Sequence, residues 1–453
     1  MERRGMMKKP NVIFVFSDQH RAEACGYAGN PDVKTPNMDH LAGESISFTH
    51  AVSGMPVCCP YRASLMTGQY PHHHGVFVND VCLSDRAVSI AQAFHDGGYD
   101  TAYIGKWHLD GHGRSSYIPV ERRQGFEYWK VLECTHDYNQ SFYYEQEADE
   151  KKKWEGYDAF AQTDDAVSLL KKRKTDKPLF MILSWGPPHD PYGTAPEEFR
   201  NLYAPENLTL RKNVPFERID WTKKQLAGYY AHISALDDCL GRLAEAVKQA
   251  GMEEDTIFIY TSDHGDMLGS QGVDAKQKPW DESILVPFLL RYPSGLGRMG
   301  KNISIPINSP DIMPTLLKLC GLEVPGTVDG ISYADYLLGK EELHVKSALL
   351  QCLHPFGQWH KYLGGKEYRG IRTEKYTYVK DLNGPWLLYD NQEDPYQLKN
   401  LLEENFESEI LNELEEELNH KLMEVGDSFL SGKEYLKEWG YQTDLVGTVP
   451  YKW

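Results

Sequence analysis

The chain has 453 residues, of which 41% are hydrophobic, so it is long enough to bury a large core. Lys and Arg total 48 against 66 Asp and Glu, which gives a formal net charge of −18. Such a balance argues against nucleic acid or an anionic membrane as a partner, and an anionic substrate would need a local cluster of cations.

The N-terminal segment contains a short apolar run rather than a signal peptide. Residues 1–20 read MERRGMMKKPNVIFVFSDQH, and the apolar part, NVIFVF (11–16), has six residues and no small-residue cleavage site after it. It is therefore predicted to be a first β-strand. No stretch approaches the ~18 consecutive apolar residues of a transmembrane helix. We expect a cytoplasmic protein with no membrane partner, or a periplasmic one if a leader has been trimmed.

Alternating apolar and amphipathic segments follow along the chain. Short apolar runs typical of buried parallel strands are NVIFVF (11–16), TAYIG (101–105), LFMILSW (179–185), TIFIYT (256–261) and PFLLRY (287–292). Amphipathic stretches that predict helices are VSIAQAFHDGG (88–98), DAFAQTDDAVSLLKKRK (158–174) and KQLAGYYAHISALDDCLGRLAEAVKQAG (224–251). The alternation predicts an α/β fold, with a central, mostly parallel mixed sheet sandwiched by helices.

The pattern changes after about residue 340. ALLQCLHP (348–355), YRGIRTEKYTYVKD (368–381) and PWLLYDNQEDP (385–395) indicate a small antiparallel sheet, and residues 403–426 indicate a charged helix. We therefore predict a catalytic α/β domain over residues 10–343 and a smaller α+β subdomain over residues 344–453 that packs against it.

Polar side chains follow four of the five predicted strands. In chain order they are Asp18 and Gln19, then Lys106 and His108, then His189 and Asp190, then Asp263, His264 and Asp266. Sites in open α/β sheets form beyond the carboxyl ends of the strands, so these groups are expected to converge.

The residue types indicate the chemistry of such a site. Asp18, Gln19 and Asp263 offer the hard oxygens that suit Ca²⁺ or Mg²⁺, and His264 offers a further ligand or a hydrogen bond. Lysines and histidines nearby add cations and proton carriers. A divalent cation beside cationic side chains suits a small tetrahedral oxyanion, so the residues favour phosphoryl or sulfuryl transfer, which still needs a nucleophile.

Cys58 and Cys59 stand side by side in VCCPYRASLMTG (57–68), although the eight cysteines of the chain are otherwise scattered. Neighbouring cysteines rarely bond to each other, because disulfide geometry needs more separation. The pair therefore needs another explanation.

The segment CCPYRASLMTGQYPHHHG supplies one, since it matches a family signature in the spacing of Cys58, Pro60, Arg62, Thr67 and Gly68. The chain closely resembles the formylglycine-dependent (type I) sulfatases of the alkaline-phosphatase-like superfamily. Further matching segments, which extend the resemblance over essentially the whole chain, are NVIFVFSDQH, TPNMDHLA, GKWH, PHDPY, SDHGDMLG, DESILVPFLLRYP and LLYDNQEDPYQLKNL.

The resemblance implies a modified nucleophile. A maturation enzyme would oxidise Cys58 to formylglycine (3-oxoalanine), whose hydrate attacks the sulfur of a sulfate monoester with one hydroxyl and ejects sulfate with the help of the other. A cysteine thiol has no second hydroxyl and cannot do this. Cys59 would fill a variable position, and the expected substrate is a sulfated small molecule or, more specifically, a saccharide.

The resemblance also implies a role for each site residue. The metal ligands would be Asp18, Gln19, Cys58 (as formylglycine), Asp263 and His264, with Ca²⁺ expected and Mg²⁺ as the alternative. Arg62 and Lys106 would steady the formylglycine, and His108 would deprotonate its second hydroxyl. His189 and Lys276 would hold the sulfate and protonate the leaving oxygen. Lys276 is preferred over Lys278 because it lies six residues before Glu282, as in the family.

Weaker candidates could contact the alcohol part of the substrate. They are Asn79, Asp80, His112, Arg114 and His136, together with His354, Trp359 and His360 from the predicted subdomain. His72, His73 and His74 look like a metal-binding tract, but the family has a turn there, so a structural role is expected.

Two other functions remain open at this point. Relatives with the same formylglycine hydrolyse phosphonate or phosphate esters, and a chain whose Cys58 is never matured would be a catalytically silent binding protein.

Overall fold

A computed structural model describes residues 9–146, 149–404 and 409–451. Its strands, in chain order, are β1 (Asn11–Asp18), β2 (Ile46–Phe48), β3 (Ala51–Val52), β4 (Asp100–Lys106), β5 (Tyr128–Leu132), β6 (Phe142–Tyr143), β7 (Lys152–Lys153), β8 (Leu179–Pro188), β9 (Thr256–Ser262), β10 (Phe288–Arg291), β11 (Lys301–Ile303), β12 (Ile307–Asn308), β13 (Ser347–Cys352), β14 (Tyr368–Thr373), β15 (Tyr376–Asp381) and β16 (Gly384–Asp390).

The α-helices lie between and after these strands. They are α1 (Pro36–Gly43), α2 (Cys58–Thr67), α3 (Pro71–His74), α4 (Ile90–Asp96), α5 (Asp158–Lys172), α6 (Glu197–Arg200), α7 (Ile219–Gln249), α8 (Asp281–Ile284), α9 (Pro293–Leu296), α10 (Ile312–Leu319), α11 (Ala334–Leu337), α12 (Glu409–Glu424) and α13 (Gly432–Glu438). The helices predicted over 88–98, 158–174 and 224–251 are thus α4, α5 and α7. None of the described helices is both long and apolar enough to cross a membrane.

Eight strands from the first part of the chain form one large sheet. Its strand order is β11-β2-β10-β9-β1-β8-β4-β5. The central strand β1 pairs in parallel with β8 and β9, and β8 pairs in parallel with β4. The carboxyl ends of these four strands therefore meet at one edge, as the predicted mostly parallel fold requires.

Strand β10 explains why the fifth apolar run has no polar cluster after it. β10 is antiparallel to β9 and to β2, so its carboxyl end lies at the opposite edge of the sheet. Its sequence is as apolar as that of its neighbours, and the direction of the strand alone removes it from the site.

The core lies on both faces of the sheet. Every residue of β1 is buried, and alternate residues enter different hydrophobic clusters: Val12, Phe14 and Phe16 on one side, Ile13 and Val15 on the other. A strand covered on both faces has no polar alternation, which is why this run is continuously apolar.

The later part of the chain forms the predicted small antiparallel sheet, in the order β13-β14-β15-β16. Helix α12 covers one of its faces with Leu414, Leu418 and Leu422. The helix predicted over 403–426 is α12, and residues 405–408 of that prediction lie outside the described residues. Residues 1–8, 147–148 and 452–453 also lie outside them. The proposed division at residues 343 and 344 stays a prediction.

Candidate active site

The start of helix α2 lies against the carboxyl edge of the large sheet. All ten residues of α2 are buried, and Cys58 is its first residue. Pro60 falls in the first turn, where a helix tolerates proline because those backbone groups lack intrahelical partners. The Asn79 side chain accepts a hydrogen bond from the Cys59 backbone N–H at 3.1 Å, which holds this end of the helix.

Cys58 is enclosed by side chains that can ligate a metal. Its Sγ lies 3.2 Å from His264 Nε2 and 3.7 Å from Asp18 Oδ1. His264 Nε2 is 3.6 Å from Oδ1 of both Asp18 and Asp263. One ligand atom from each of these four residues falls within 4.8 Å of the others, and all four residues are buried.

Arg62 bridges the carboxylates of Asp18 and Asp263. Its Nη2 donates to Asp18 Oδ2 at 3.3 Å and to Asp263 Oδ2 at 3.1 Å. Its Nη1 donates to the Lys106 carbonyl and to Ser184 Oγ, each at 2.8 Å. The planar guanidinium therefore fixes α2 to the ends of β1, β4, β8 and β9 at once.

Lys106 adds a second buried cation beside Asp18. Its Nζ donates to Asp18 Oδ2 at 2.6 Å. Burial alone would raise the pKa of Asp18, but Lys106, followed by His189, His264 and Arg62, holds that pKa well below its usual range. Burial and the Asp18 charge raise the pKa of Asp263.

The Cys58 thiol lies in a field that favours its ionised form. Burial and Asp18 oppose ionisation, yet Lys106, Lys276 and His264 outweigh them and hold the pKa of the thiol well below its usual range. The field around this side chain therefore stabilises negative charge, which a nucleophile requires.

The donor set fits a hard divalent cation. Two buried carboxylates converge from neighbouring strands, and burial and the charge of Asp18 raise the pKa of Asp263. A bound cation would offset the repulsion between the two carboxylates. Asp18, Asp263, His264 and the Cys58 side chain could hold it. Gln19 contacts this group through its backbone N–H, which donates to Asp263 Oδ1 at 3.0 Å.

Gln19 connects this cluster to two more predicted residues. Its Oε1 accepts from Lys276 Nζ at 2.7 Å, and its Nε2 donates to Asp266 Oδ2 at 2.7 Å. Lys276 Nζ also donates to His189 Nε2 at 2.6 Å. Because a lysine ammonium can only donate, His189 must carry its proton on Nδ1, which faces the Asp190 carbonyl and carboxylate at 3.0 Å.

His108, which follows β4, contacts the Asp80 and Cys59 side chains. Its Nε2 donates to Asp80 Oδ1 at 2.9 Å, and its Nδ1 is buried without a partner among the described residues. Gln19 and His108 both have left-handed backbones, with φ of 74° and 59°. Such conformations are costly for residues other than glycine and concentrate at functional sites.

The structure separates the weaker candidates into two groups. His136 stacks on His189 with ring centroids 4.4 Å apart, and Arg114 pairs with Asp80 at 3.0 Å, so both border the site. His112 donates to the Asp110 carbonyl at 2.5 Å within its own loop. His136 and Arg114 therefore lie near the predicted site, whereas the contact of His112 does not connect it to the Cys58 cluster.

His354 and His360 are farther from the cluster. The Nε2 of His354 donates to the Gly447 carbonyl at 3.2 Å, and the His360 ring contacts Tyr362. Trp359 lies under Lys278, whose Nζ is 4.8 Å from the ring centroid. No hydrogen bond within the described residues links His354 or His360 to the Cys58 cluster.

The tract His72–His74 makes structural contacts. His72 pairs with the Val425 carbonyl at 2.8 Å, His73 with Asp329 at 2.8 Å, and His74 with Ser64 Oγ at 3.0 Å. The three rings point to different parts of the chain, as a structural role implies.

Sequence reasoning assigned no role to several residues that contact the site. Asp266 lies in the segment SDHGD, and Tyr192 follows PHDP. Both accept a hydrogen bond from Gln19 Nε2. Ser184 is one of many buried strand residues, and Tyr451 reaches Asp80 from 371 positions along the chain. No local pattern distinguishes the last two.

Comparisons with known proteins find similar sequences over nearly the whole chain. A family model described as "Sulfatase" matches residues 10–322, and another, "N-sulphoglucosamine sulphohydrolase, C-terminal", matches residues 269–424. An ulvan-active sulfatase of Formosa agariphila is 44% identical over 444 residues, which span 97% of this chain and 86% of that protein. An endo-4-O-sulfatase of Bacteroides thetaiotaomicron is 33% identical over 491 residues, which span 94% of each.

A solved structure extends the match to three dimensions. A Bacteroides thetaiotaomicron protein, determined in connection with that organism's metabolism of multiple glycosaminoglycans, superimposes with a TM-score of 0.85 at 31% identity. The alignment covers 95% of this chain and 99% of that one. Fold and site together define a hydrolase of the alkaline-phosphatase-like superfamily. Within it, this chain belongs to the sulfatase family and is a sulfuric ester hydrolase.

Proposed function

We propose that the protein hydrolyses a sulfate monoester of a carbohydrate, with formylglycine derived from Cys58 as the nucleophile and a divalent cation bound beside it. The observation that carries the proposal is the convergence of Asp18, Asp263 and His264 on the Cys58 side chain at the buried start of α2. Two relatives, an ulvan-active sulfatase and an endo-4-O-sulfatase, support a saccharide as the part of the substrate that carries the sulfate.

Two groups would be added to the chain before it works. The hydrated aldehyde of formylglycine supplies the hydroxyl nucleophile, and the cation, which we expect to be Ca²⁺ with Mg²⁺ as the alternative, supplies Lewis acidity toward the hydroxyl and the sulfate oxygens. A formylglycine-generating maturation enzyme is therefore an expected partner.

The chain's own residues divide the remaining work. Arg62 and Lys106 keep Asp18 ionised and fix the nucleophile against the strand ends. Lys276 Nζ, which lies 2.6 Å from His189 Nε2, would donate to the sulfate oxygens, and His189 would do so in its charged form, in which Nε2 also carries a proton. One of them would then deliver a proton to the leaving alcohol oxygen, and His108 would afterwards take the proton of the second hydroxyl of the hydrate as sulfate is released.

The nucleophile is tested by a matched pair of variants. Cys58→Ala should abolish sulfate release, whereas Cys59→Ala, which removes a small buried thiol one position away, should retain it. Mass spectrometry of the peptide around Cys58 from the native host should show formylglycine. Equal loss in both variants, or an unmodified thiol in active protein, would contradict the assignment.

The substrate class is tested by a panel of defined sulfated saccharides, an aryl sulfate and a phosphonate monoester. We expect the highest kcat/KM on a saccharide sulfate. Higher efficiency on the phosphonate would favour the other hydrolase function of the superfamily, and no turnover of any ester by matured protein would favour a binding protein.

The cation is tested with the matured protein. Chelation should abolish sulfate release and lower the melting temperature, and Ca²⁺ should restore both, because a ligand that binds only the folded state stabilises it. Full activity after exhaustive chelation would contradict the metal site.

A further inference from the structure

Asp80 is a buried carboxylate whose two oxygens are already engaged by the protein. Its Oδ1 accepts from His108 Nε2 at 2.9 Å and from the Tyr451 hydroxyl at 2.5 Å. Its Oδ2 accepts from Arg114 Nη2 at 3.0 Å, and only 5% of the residue is exposed. The sequence suggested Asp80 as a substrate contact, but these bonds place it behind His108.

The contact with Asp80 determines where His108 carries its proton. An ionised carboxylate can only accept hydrogen bonds, and although burial opposes ionisation, His108 and Arg114 hold the pKa of Asp80 well below its usual range. Nε2 therefore bears a proton in both the charged and the neutral ring, and in the neutral ring Nδ1 has a free lone pair. Burial alone would lower the pKa of His108, but Cys59, Cys134 and Asp80 hold that pKa well above its usual range. That Nδ1 is buried and makes no hydrogen bond within the described residues, and the Cys59 side chain lies beside the ring. The nitrogen is therefore not committed to another partner by a hydrogen bond.

The far end of the chain holds this carboxylate in place. The Tyr451 hydroxyl donates to Asp80 and accepts from Arg114 Nε at 2.7 Å, which closes a three-residue network. The segment before Tyr451 is itself anchored, since the Gly447 carbonyl binds His354 and the Val446 carbonyl accepts from the Gly357 backbone.

We propose that Asp80 is a positioning residue that fixes His108 as the Nε2–H tautomer, so that Nδ1 is the atom that takes a proton during turnover, and that Arg114 and Tyr451 hold Asp80 for this purpose. In that step the second hydroxyl of the hydrate would lose its O–H bond and a new N–H bond would form at Nδ1. The freed electron pair would form the carbonyl bond while the C–O bond to sulfate breaks, and sulfate would leave with the electrons of that bond. Water removes the proton before the next turnover. The inference rests on the proposed function, in which His108 is the base.

Asp80→Asn tests the proposal with little change in shape. The amide can donate to Nε2, which favours the Nδ1–H tautomer that cannot accept a proton. We expect kcat to fall by about 10²–10⁴-fold, as for loss of the orienting carboxylate in other histidine-dependent hydrolases, while KM changes by less than about threefold. Asp329→Asn, which breaks a His–Asp pair of similar length at His73, is the matched control and should leave kcat unchanged.

Two further measurements separate positioning from a structural or substrate-binding role. Asp80→Asn should cause no additional loss of kcat in a His108→Ala background, because the effect passes through the ring. In ¹⁵N NMR above the ring pKa, with His108→Ala to assign the signals, wild-type His108 should show a protonated Nε2 and the Asp80→Asn variant a protonated Nδ1. If the Asn variant does not fold, Asp80→Glu and Tyr451→Phe should each lower kcat with KM retained.

Several outcomes would overturn the proposal: a raised KM with kcat retained, additive losses in the double variant, or an unchanged tautomer. The NMR comparison does not depend on turnover. If wild-type protein released no sulfate from any ester, the proposed function would fail while the tautomer result still decided the role of Asp80.

Discussion

Arg62 carries a permanent charge at a position with no exposed surface. Its guanidinium makes four hydrogen bonds to Lys106, Ser184, Asp18 and Asp263, which belong to four strand ends. A buried charge is costly unless it is paired and hydrogen-bonded. Here both Nη atoms are hydrogen-bonded and two carboxylates pair the charge, while Nε has no partner within the described residues. The same residue therefore stabilises the fold and sets the electrostatic field around Cys58.

Arg62→Lys should be strongly destabilising although it keeps the charge. One ammonium cannot reproduce the planar fork, and loss of charge-assisted hydrogen bonds should lower the free energy of unfolding by about 2–4 kcal/mol, measured by urea denaturation. The control is Arg298→Lys, whose ion pairs lie at the surface, and which should leave the free energy of unfolding nearly unchanged. Equal, small effects of both substitutions would show that the fork geometry is unimportant.

Lys276 and Lys278 are two positions apart and differ in what their ammonium groups contact. Lys276 Nζ reaches Gln19 and His189, whereas Lys278 Nζ donates to the Lys276 carbonyl at 2.9 Å. Lys276→Met should lower kcat/KM for sulfate release at least 10²-fold, because a charge facing the transferring group is lost. Lys278→Met should lower it less than about tenfold. The reverse order would transfer the sulfate-binding role to Lys278.

At the scale of the element, helix α12 is held by a narrow apolar stripe. Leu414, Leu418 and Leu422 recur every four residues and pack on the small antiparallel sheet, while its remaining faces are charged. Lys380 of β15 adds an ion pair with Glu415 at 2.5 Å. The charges keep the outer surface hydrated, and the leucines supply most of the docking energy.

Leu418→Ala should therefore cost about 2–5 kcal/mol in the free energy of unfolding, since the side chain is fully buried and its neighbours can collapse only partly. Met423→Ala on the same helix is the control, because Met423 is 74% exposed and should change stability by less than about 0.5 kcal/mol. A small effect at Leu418 would mean that α12 is not docked in solution.

Helices and strands with a periodic or continuous run of apolar residues could be predicted from the sequence. Features that depend on contacts between distant parts of the chain could not. The runs of β1, β4, β8 and β9 are apolar throughout because both faces are covered, and polar residues follow each at the shared edge. The two-residue strands β6 and β7 carry no such signal. The antiparallel direction of β10 and the contact of Tyr451 with Asp80 depend on long-range packing that no local pattern encodes.

At the scale of the whole molecule, the chain buries histidines that must be neutral to fold. His74 and His232 are fully enclosed, and burial lowers the pKa of each to about 3. His232 accepts from the Tyr157 hydroxyl at 2.6 Å, which requires an unprotonated Nδ1. In the unfolded chain both rings titrate at the ordinary pKa of about 6.5.

These histidines should make the protein sensitive to acid. Between the folded and unfolded pKa values the unfolded chain binds more protons, so the stabilisation is complete above about pH 6.5 and is lost as the pH falls toward 3. Each ring should contribute a loss of about 2 kcal/mol between pH 7 and pH 5. Urea denaturation of His232→Gln at both pH values should show a loss smaller by that amount than in wild type. His344→Gln, at a side chain that is 85% exposed, should keep the wild-type dependence, and an unchanged dependence in His232→Gln would place the acid sensitivity elsewhere.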